Sequence, residues 1–325
     1  MKKVFIDGSA GTTGLKIYDR LSGRNDIELI VLKDEDRKDP AKRKEAINAS
    51  DVTFLCLPDD ASRESVSFVE NDKTVILDTS TAHRTEEGWL YGFPEVYDDF
   101  EEKLKTSKRI AVPGCHASGF VALIKPLIDC GILKKDAKLV CTSVTGYSGG
   151  GKKMIAQYED EARSFDNGAT KFAPNDDYDM FCYPRQYGLT QSHKHLKEMV
   201  KISGVEITPA FSPIVADFYS GMCVTIPVFA SDLALGYGIE DVKNCYKNKY
   251  NGEIVFYKEA SDESGFISAG AYEKKDCMEI SVFGNEERIL LSARYDNLGK
   301  GASGAAIECL NYVLGVDKTM GLKVK

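Results

Sequence analysis

The chain has 325 residues, 43% hydrophobic and 28% charged, enough for one large or two ordinary domains with their own cores. A formal net charge of −8 argues against nonspecific nucleic-acid binding, which needs clustered Lys and Arg against phosphates. No stretch approaches the ~20 apolar residues that cross a bilayer. The apolar run after Met1-Lys2-Lys3 stops at Val4-Phe5-Ile6, so neither an export signal nor a membrane partner is expected. Nine cysteines, an odd number with no Cys-x-x-Cys pair, suit neither a disulfide framework nor a zinc ribbon. Free thiols fit a reducing cytoplasm.

In chain order, strand-like runs at Lys3–Ile6, Ile27–Leu32, Val52–Leu57, Val75–Leu77 and Arg109–Val112 alternate with helical patterns at Thr12–Leu21, Ala41–Ala49 and Ala61–Glu70. This rhythm predicts a doubly wound parallel sheet of the Rossmann, dinucleotide-binding α/β class. After Cys115 the rhythm changes. A helix over Ser118–Asp129 leads into strands at Leu139–Val144, Val205–Ala210, Met222–Phe229, Met278–Val282 and Ile289–Arg294, with a helix over Lys152–Ala162. Few helices separate these strands, which predicts an α+β second domain with a mixed or antiparallel sheet. The tail, Gly299–Leu314, reads as helical and is expected to return to the first domain. The expected division is therefore 1–114 with 299–325, and 115–298.

Gly8-Ser9-Ala10-Gly11-Thr12-Thr13-Gly14 follows the first strand and opens the first helix. Glycines there let backbone N–H groups approach a pyrophosphate, whose charge the helix N-terminus favours. The G-x-x-G-x-x-G spacing is a variant of the dinucleotide fingerprint, and its place in a βαβ pattern favours that reading over an ordinary tight turn. Asp34 stands where an acidic residue would hold a ribose 2′-hydroxyl, which argues for NAD. Lys33, Arg37 and Lys38 crowd the same loop and can hold a 2′-phosphate, which argues for NADP.

Ala111-Val112-Pro113-Gly114-Cys115-His116-Ala117-Ser118-Gly119 carries the sharpest chemistry. A strand ends, Pro-Gly turns the chain, and Cys115 falls at the start of an apolar helix, where a thiolate is stabilised and the cysteine pKa is expected to fall. Only four histidines exist to serve as its base. His193 and His195 stand at an expected helix start, and residues two apart on a helix face different directions, so one of them should reach Cys115. Such a pair chelates metal poorly and no thiol or carboxylate cluster completes a site, so no metal is expected. Glu198 either orients His195 or is a solvated helix charge. His116 and His83 are expected to do structural or substrate-contact work.

Several blocks in this order are similar to the N-acetyl-gamma-glutamyl-phosphate reductases in their shorter (type 2) form. They are the Gly8–Gly14 loop, Asp78-Thr79-Ser80-Thr81-Ala82-His83-Arg84, Tyr91-Gly92-Phe93-Pro94-Glu95, Pro113-Gly114-Cys115, Gly146-Tyr147-Ser148-Gly149-Gly150-Gly151-Lys152-Lys153, His193-Lys194-His195-Leu196 and Asp296-Asn297-Leu298-Gly299-Lys300-Gly301-Ala302. The resemblance runs nearly end to end, with aspartate-semialdehyde dehydrogenases as wider relatives. It implies NADP (NADPH), cytosolic arginine biosynthesis, a small acyl-phosphate substrate and a homodimer or homotetramer. It implies Cys115 as nucleophile and a histidine of the His193/His195 pair, His195 favoured, as acid/base. Gly8, Ser9, Gly11, Thr12, Thr13, Gly14, Arg37, Lys38, Leu57, Pro58, Ser80, Asn297 and Gly299 become the expected cofactor contacts. Ser118, Ser148 and Gly149 become substrate-side candidates, and Arg84, Arg163, Arg185 and Arg294 compete to grip a substrate carboxylate. Lys197 departs from the family, where a proline often stands, and bears on how His195 is held. Competing readings are the same chemistry on aspartyl or aminoadipyl phosphate, and a non-catalytic NADP-sensing regulator.

Overall fold

Short apolar runs separated by amphipathic helices wind into a parallel sheet. The computed structural model describes residues 1–160 and 180–324, with position 12 by its backbone alone. The first part comprises β1 (Lys2–Asp7), α1 (Thr12–Leu21), β2 (Ile27–Ile30), α2 (Pro40–Ala49), β3 (Val52–Leu55), α3 (Asp59–Ser67), β4 (Val75–Asp78), β5 (Leu90–Tyr91), α4 (Phe100–Thr106) and β6 (Arg109–Ala111). All its strand pairs are parallel, in the order β2-β1-β3-β4-β6-β5. Every residue of β3 and β4 is buried, as expected of a parallel sheet covered on both faces. Ile17 and Leu21, four apart on α1, are both fully buried on one side of that sheet. Asp39 caps α2 by accepting the Ala41 N–H at 2.8 Å, with Pro40 pre-set at the first helical position. Neither β5 nor α4 was expected from the sequence.

The second part begins with α5 (Cys115–Asp129), followed by β7 (Val140–Gly146), α6 (Gly151–Tyr158), β8 (Arg185–Gln186), α7 (His195–Ser203), β9 (Ala210–Ala216), β10 (Met222–Phe229), α8 (Ile239–Lys249), β11 (Val255–Tyr257), β12 (Met278–Gly284) and β13 (Arg288–Tyr295). Its sheet runs β11-β12-β13-β10-β7-β9-β8 and is mixed, with parallel pairs at β7/β9 and β11/β12. Apolar nearly all round, α5 is buried along most of its length beneath this sheet. Pro126 inside α5 has no N–H for the Ala122 carbonyl one turn earlier, and the hydroxyl of Tyr250, the residue just after α8, supplies that bond at 2.7 Å.

Two expectations are corrected. The strand expected at Val205–Ala210 instead occupies Ala210–Ala216, because Pro213, a residue that argues against a strand, is tolerated where β8 pairs only with Ile214 and Val215. Gly299–Leu314 is not one α-helix: Gly299–Ser303 forms a π-turn before α9 (Gly304–Leu314). Ala305, Ala306, Ile307, Cys309 and Leu310 of α9 pack into the core of the first sheet. The expected Lys152–Ala162 helix is seen as α6 to Tyr158, and its last residues, like Arg163, lie outside the described residues.

Candidate active site

β1 ends at Asp7 and the chain turns at once into α1. Gly8 makes that turn with φ of +86°, and a Cβ there would overlap the Cys56 carbonyl oxygen. Gly14 lies against the Gly8 carbonyl so closely that a Cβ would overlap it, whereas a Cβ at Gly11 would meet nothing nearer than 3.4 Å. Gly11 is the N-cap of α1 with no side-chain bond to the first-turn N–H groups, which suits them to a pyrophosphate. Beside the loop, a cavity of about 430 Å³ has an apolar floor that includes Tyr18, Leu29 and Leu57, and a rim of Ser9, Asp34, Arg37 and Lys38. Arg37 Nη2 meets Asp34 Oδ1 at 2.9 Å, so the acid and base that argued for different dinucleotides form one rim. Loop and cavity together fit a dinucleotide, with Arg37 and Lys38 at the edge where a 2′-phosphate would stand.

A second cleft, of about 440 Å³, opens where the C-terminal ends of β4 and β6 meet those of β7 and β9. Pro113-Gly114 turns the chain from β6 into α5, making Gly114 the N-cap and Cys115 the first helical residue. A Cβ at Gly114 would overlap the Arg84 guanidinium and stand 2.5 Å from His195 Nε2, so both groups lie directly against the backbone that carries the thiol. Tyr295 Oη donates to the Cys115 carbonyl at 2.5 Å. The lowered cysteine pKa expected from the helix start is not found. Burial pushes the thiol up, and the Arg84 cation and the His116 backbone N–H oppose that shift without overcoming it.

Burial, then the Arg84 cation, hold the His195 imidazole well below its usual pKa, which keeps it neutral. Its Nδ1 is buried without a hydrogen-bond partner among the described residues, while Nε2 faces Gly114. His193 precedes α7 rather than sharing it, and its Nδ1 accepts the His195 N–H at 3.2 Å. The geometry expected of a helical pair therefore does not apply, and both rings line the cleft, 4.8 Å apart. His116 sits between Ser143 Oγ at 2.7 Å and Tyr187 Oη at 2.6 Å, its pKa pushed down to about 3 by burial, with His193 adding to the effect. His83 is bound to Asp78 at 2.6 Å and stacked on Trp89, away from the cleft.

Glu198 neither orients His195 nor faces solvent. It is buried, and accepts from the Gly114 N–H at 2.7 Å, Tyr91 Oη at 2.7 Å and Arg84 Nη1 at 3.2 Å. Arg84 also donates to the Val112 and Thr79 carbonyls, both at 2.9 Å, leaving two of its five N–H groups for the cleft it lines. Asn297 joins the two sides, accepting the Gly221 N–H at 2.9 Å and donating to Ser148 Oγ at 3.0 Å, with Gly149 beside it. Lys152 Nζ reaches across to the Ala10 carbonyl of the glycine loop at 2.8 Å.

The cleft thus brings together Thr13, Arg84, Cys115, Ser148, Gly149, His193, His195 and Asn297. Other expected residues lie elsewhere. Arg294 faces away, bound to Glu279 and Glu263 and to the Ser261 carbonyl. Arg185 is held by Tyr158 Oη and stacked on Phe181. Ser118 is buried one turn inside α5 on the Gly114 carbonyl. Ser80 builds the turn after β4 by bonding Asp78, so Thr79, not Ser80, lines the cleft. Pro58 is the exposed N-cap of α3, and Gly299 packs against the Lys275 backbone. Sequence reasoning missed Thr79, Lys194 and Gly301 in the cleft and Tyr91 behind it, all of which stood inside the blocks already singled out, and gave Glu198 neither of the roles it has here. Among the described residues no group of three or more His, Cys, Asp and Glu side chains is arranged to hold a metal.

Residues 33–105 match the family model described as the semialdehyde dehydrogenase NAD binding domain, and residues 115–297 the semialdehyde dehydrogenase dimerisation domain. The class is therefore that of the semialdehyde dehydrogenases. Solved structures agree in fold: aspartate semialdehyde dehydrogenase II from Vibrio cholerae has a TM-score of 0.70 at 16% identity, covering 97% of this chain and 98% of that one. The Candida albicans aspartate semialdehyde dehydrogenase with NADP has a TM-score of 0.64 at 16% identity, over 98% and 99%. N-acetyl-gamma-glutamyl-phosphate reductase 2 of Nostoc sp. is 43% identical over 98% of this chain and 99% of its own length. The N-acetyl-gamma-glutamyl-phosphate reductase of Rhizobium meliloti is 40% identical over 96% and 98%. The chain belongs to the N-acetyl-gamma-glutamyl-phosphate reductase family.

Proposed function

We propose that the protein reduces N-acetyl-L-glutamyl 5-phosphate to N-acetyl-L-glutamate 5-semialdehyde with NADPH, by way of a thioester on Cys115. The observation that carries this reading is the convergence of a helix-start thiol, a neutral buried imidazole and an anchored arginine on one cleft. Cys115 Sγ attacks the acyl carbonyl while its proton passes to His195 Nε2, and the S–C bond replaces the C–O bond to phosphate, which takes up a proton from solvent as it leaves. A thiol that rests protonated needs a base this near. The Cys115 N–H, at the first turn of α5, faces the developing oxyanion. NADPH, when bound along Gly8–Gly14, supplies the hydride that takes the thioester to the oxidation level of the aldehyde. His195 then gives its proton to the carbonyl oxygen, takes it back as the C–S bond breaks, and returns it to sulfur. Arg84 and Lys194 hold the anionic groups of the substrate at the cleft wall.

This reading makes the protein a cytoplasmic enzyme of arginine biosynthesis that acts as a homo-oligomer. Cys56, Cys115, Cys130, Cys141, Cys223, Cys245, Cys277 and Cys309 are free thiols, as suits a reducing compartment, and no helix among the described residues is long and apolar enough to cross a membrane. On this reading the chain divides into 1–114 with 299–325, and 115–298, with Tyr91, Phe93 and Val96 of the first part packing into the core of the second. The test is phosphate-dependent oxidation of N-acetylglutamate semialdehyde, followed by NADPH appearance, with NAD and aspartate semialdehyde as controls. Turnover should require phosphate, prefer NADP and fall by roughly 10⁴-fold or more in Cys115→Ser, with NADPH binding retained. A fully active Cys115→Ser enzyme overturns the mechanism, and a preference for another semialdehyde overturns the substrate.

A further inference from the structure

Lys300 is the second residue of the π-turn, and its neighbours on either side have different surroundings. Gly301 and Ala302 line the cleft, and a Cβ on Gly301 would stand 3.2 Å from the Cys115 Cβ. Lys300 turns the other way, into the interior, with a side chain 1% exposed. Its Nζ donates to Glu95 Oε1 and Oε2 at 2.9 and 2.8 Å, and to Glu308 Oε2 of α9, while lying over the Phe93 ring. A buried ammonium held by two carboxylates from separate segments is costly to assemble and strongly resists loss of one partner. Burial and the nearby Glu95 raise the Glu308 carboxyl, with Lys300 opposing.

We propose that Lys300 is a positioning residue for Cys115: anchored by Glu95 and Glu308, it holds the π-turn so that Gly301 closes one side of the thiol and fixes its direction in the cleft. The turn supports this reading in its own geometry. Gly301 N–H reaches the Asp296 carbonyl at 3.0 Å and Ser303 N–H the Leu298 carbonyl at 3.0 Å, five residues back in each case. Such a widened turn is held by its surroundings, and here the surroundings act through Lys300. Glu95 lies four residues after Tyr91, whose hydroxyl reaches the Gly114 N–H through Glu198. One short segment therefore braces the nucleophile from behind through Glu198 and from the side through Lys300.

This inference rests on Cys115 being the nucleophile, and its test reads the thiol directly. Two variants are compared with the unaltered protein: Lys300→Arg, which keeps the charge but displaces the turn, and Lys300→Met with Glu95→Gln, which removes a matched pair of charges. The rate of Cys115 alkylation by iodoacetamide is followed by mass spectrometry of the Cys115 peptide, alongside kcat and KM for the semialdehyde and thermal unfolding. In each variant that folds, alkylation and kcat should both shift by roughly 10- to 100-fold, while KM moves less than about threefold, as for uniform binding left intact. Lower thermal stability with unchanged alkylation and kcat would mean a structural cluster only, and would overturn the inference. Should the double variant not fold, Lys300→Arg alone decides by the same readings. The alkylation comparison holds whichever semialdehyde is the substrate, so a failed substrate assignment leaves it decisive.

Discussion

In the proposed mechanism Cys115 and His195 divide the work of one proton, and burial moves their pKa values in opposite directions. Burial disfavours the thiolate and equally disfavours the imidazolium, so the resting pair is thiol and neutral imidazole. The pair becomes ionic only as bond formation to the acyl carbon consumes the sulfur charge. His195→Asn should therefore lower kcat by roughly 10²- to 10⁴-fold. His193→Asn, which removes an acceptor for the His195 N–H rather than the base itself, should cost less than about tenfold. Steady-state kinetics of the two variants separate the roles, and a larger loss in His193→Asn would assign the proton to His193. His116 gives a stability effect. Its folded pKa, about 3, is depressed below the unfolded value near 6.5, so the unfolded chain binds the proton first as pH falls. Stability is full above about pH 6.5 and declines through the window down to about 3, by about 2 kcal/mol at pH 5 from this group. Thermal unfolding of the protein and of His116→Gln at pH 7 and pH 5 should show a smaller decline in the variant.

At the scale of elements, the three glycines of the first loop are not equivalent. Gly14→Ala should lower the melting temperature of the free protein, since its Cβ would meet the Gly8 carbonyl, and Gly8→Ala should do so through both strain and overlap. Gly11→Ala should leave thermal unfolding nearly unchanged, because its Cβ meets only ordinary contacts. Calorimetry of the three variants checks this order. The elements legible in the sequence were those whose period or punctuation is local. α1 begins at Thr12 and ends at Leu21, and β10 spans Met222–Phe229, as their patterns require. α8 was overlooked although its buried positions, Ile239, Val242, Cys245 and Tyr246, recur at helical spacing with charges on the opposite face. β9 was displaced by Pro213, whose cost depends on how far a neighbouring strand extends. The site followed the same rule. Cys115 was legible because a Pro-Gly turn and a helix start are written side by side, whereas the contact of Glu198 with Gly114 spans 84 residues and leaves no local trace.

Over the whole molecule, the thiol and the imidazole belong to helices that pack together, α5 and α7, in the core of the second sheet. The glycine loop and the cavity beside it belong to the first sheet. Lys152 Nζ on the Ala10 carbonyl is a direct tie between the two. Lys152→Ala should weaken NADPH binding by about 1 kcal/mol, roughly fivefold, a modest loss for one hydrogen bond. It should leave the rate of Cys115 alkylation unaltered, and fluorescence titration with NADPH beside the alkylation assay measures both. On the proposed function, the arrangement divides the reaction between two bodies of protein. Acyl transfer to sulfur draws on the body that holds Cys115 and His195, with Arg84 leaning in from the other, whereas the reductant arrives on its own support. On the proposed function, dinucleotide preference can thus be rewritten at Arg37 and Lys38 while the sulfur chemistry is inherited intact, and a new acyl substrate can be accepted without relearning how to hold a coenzyme.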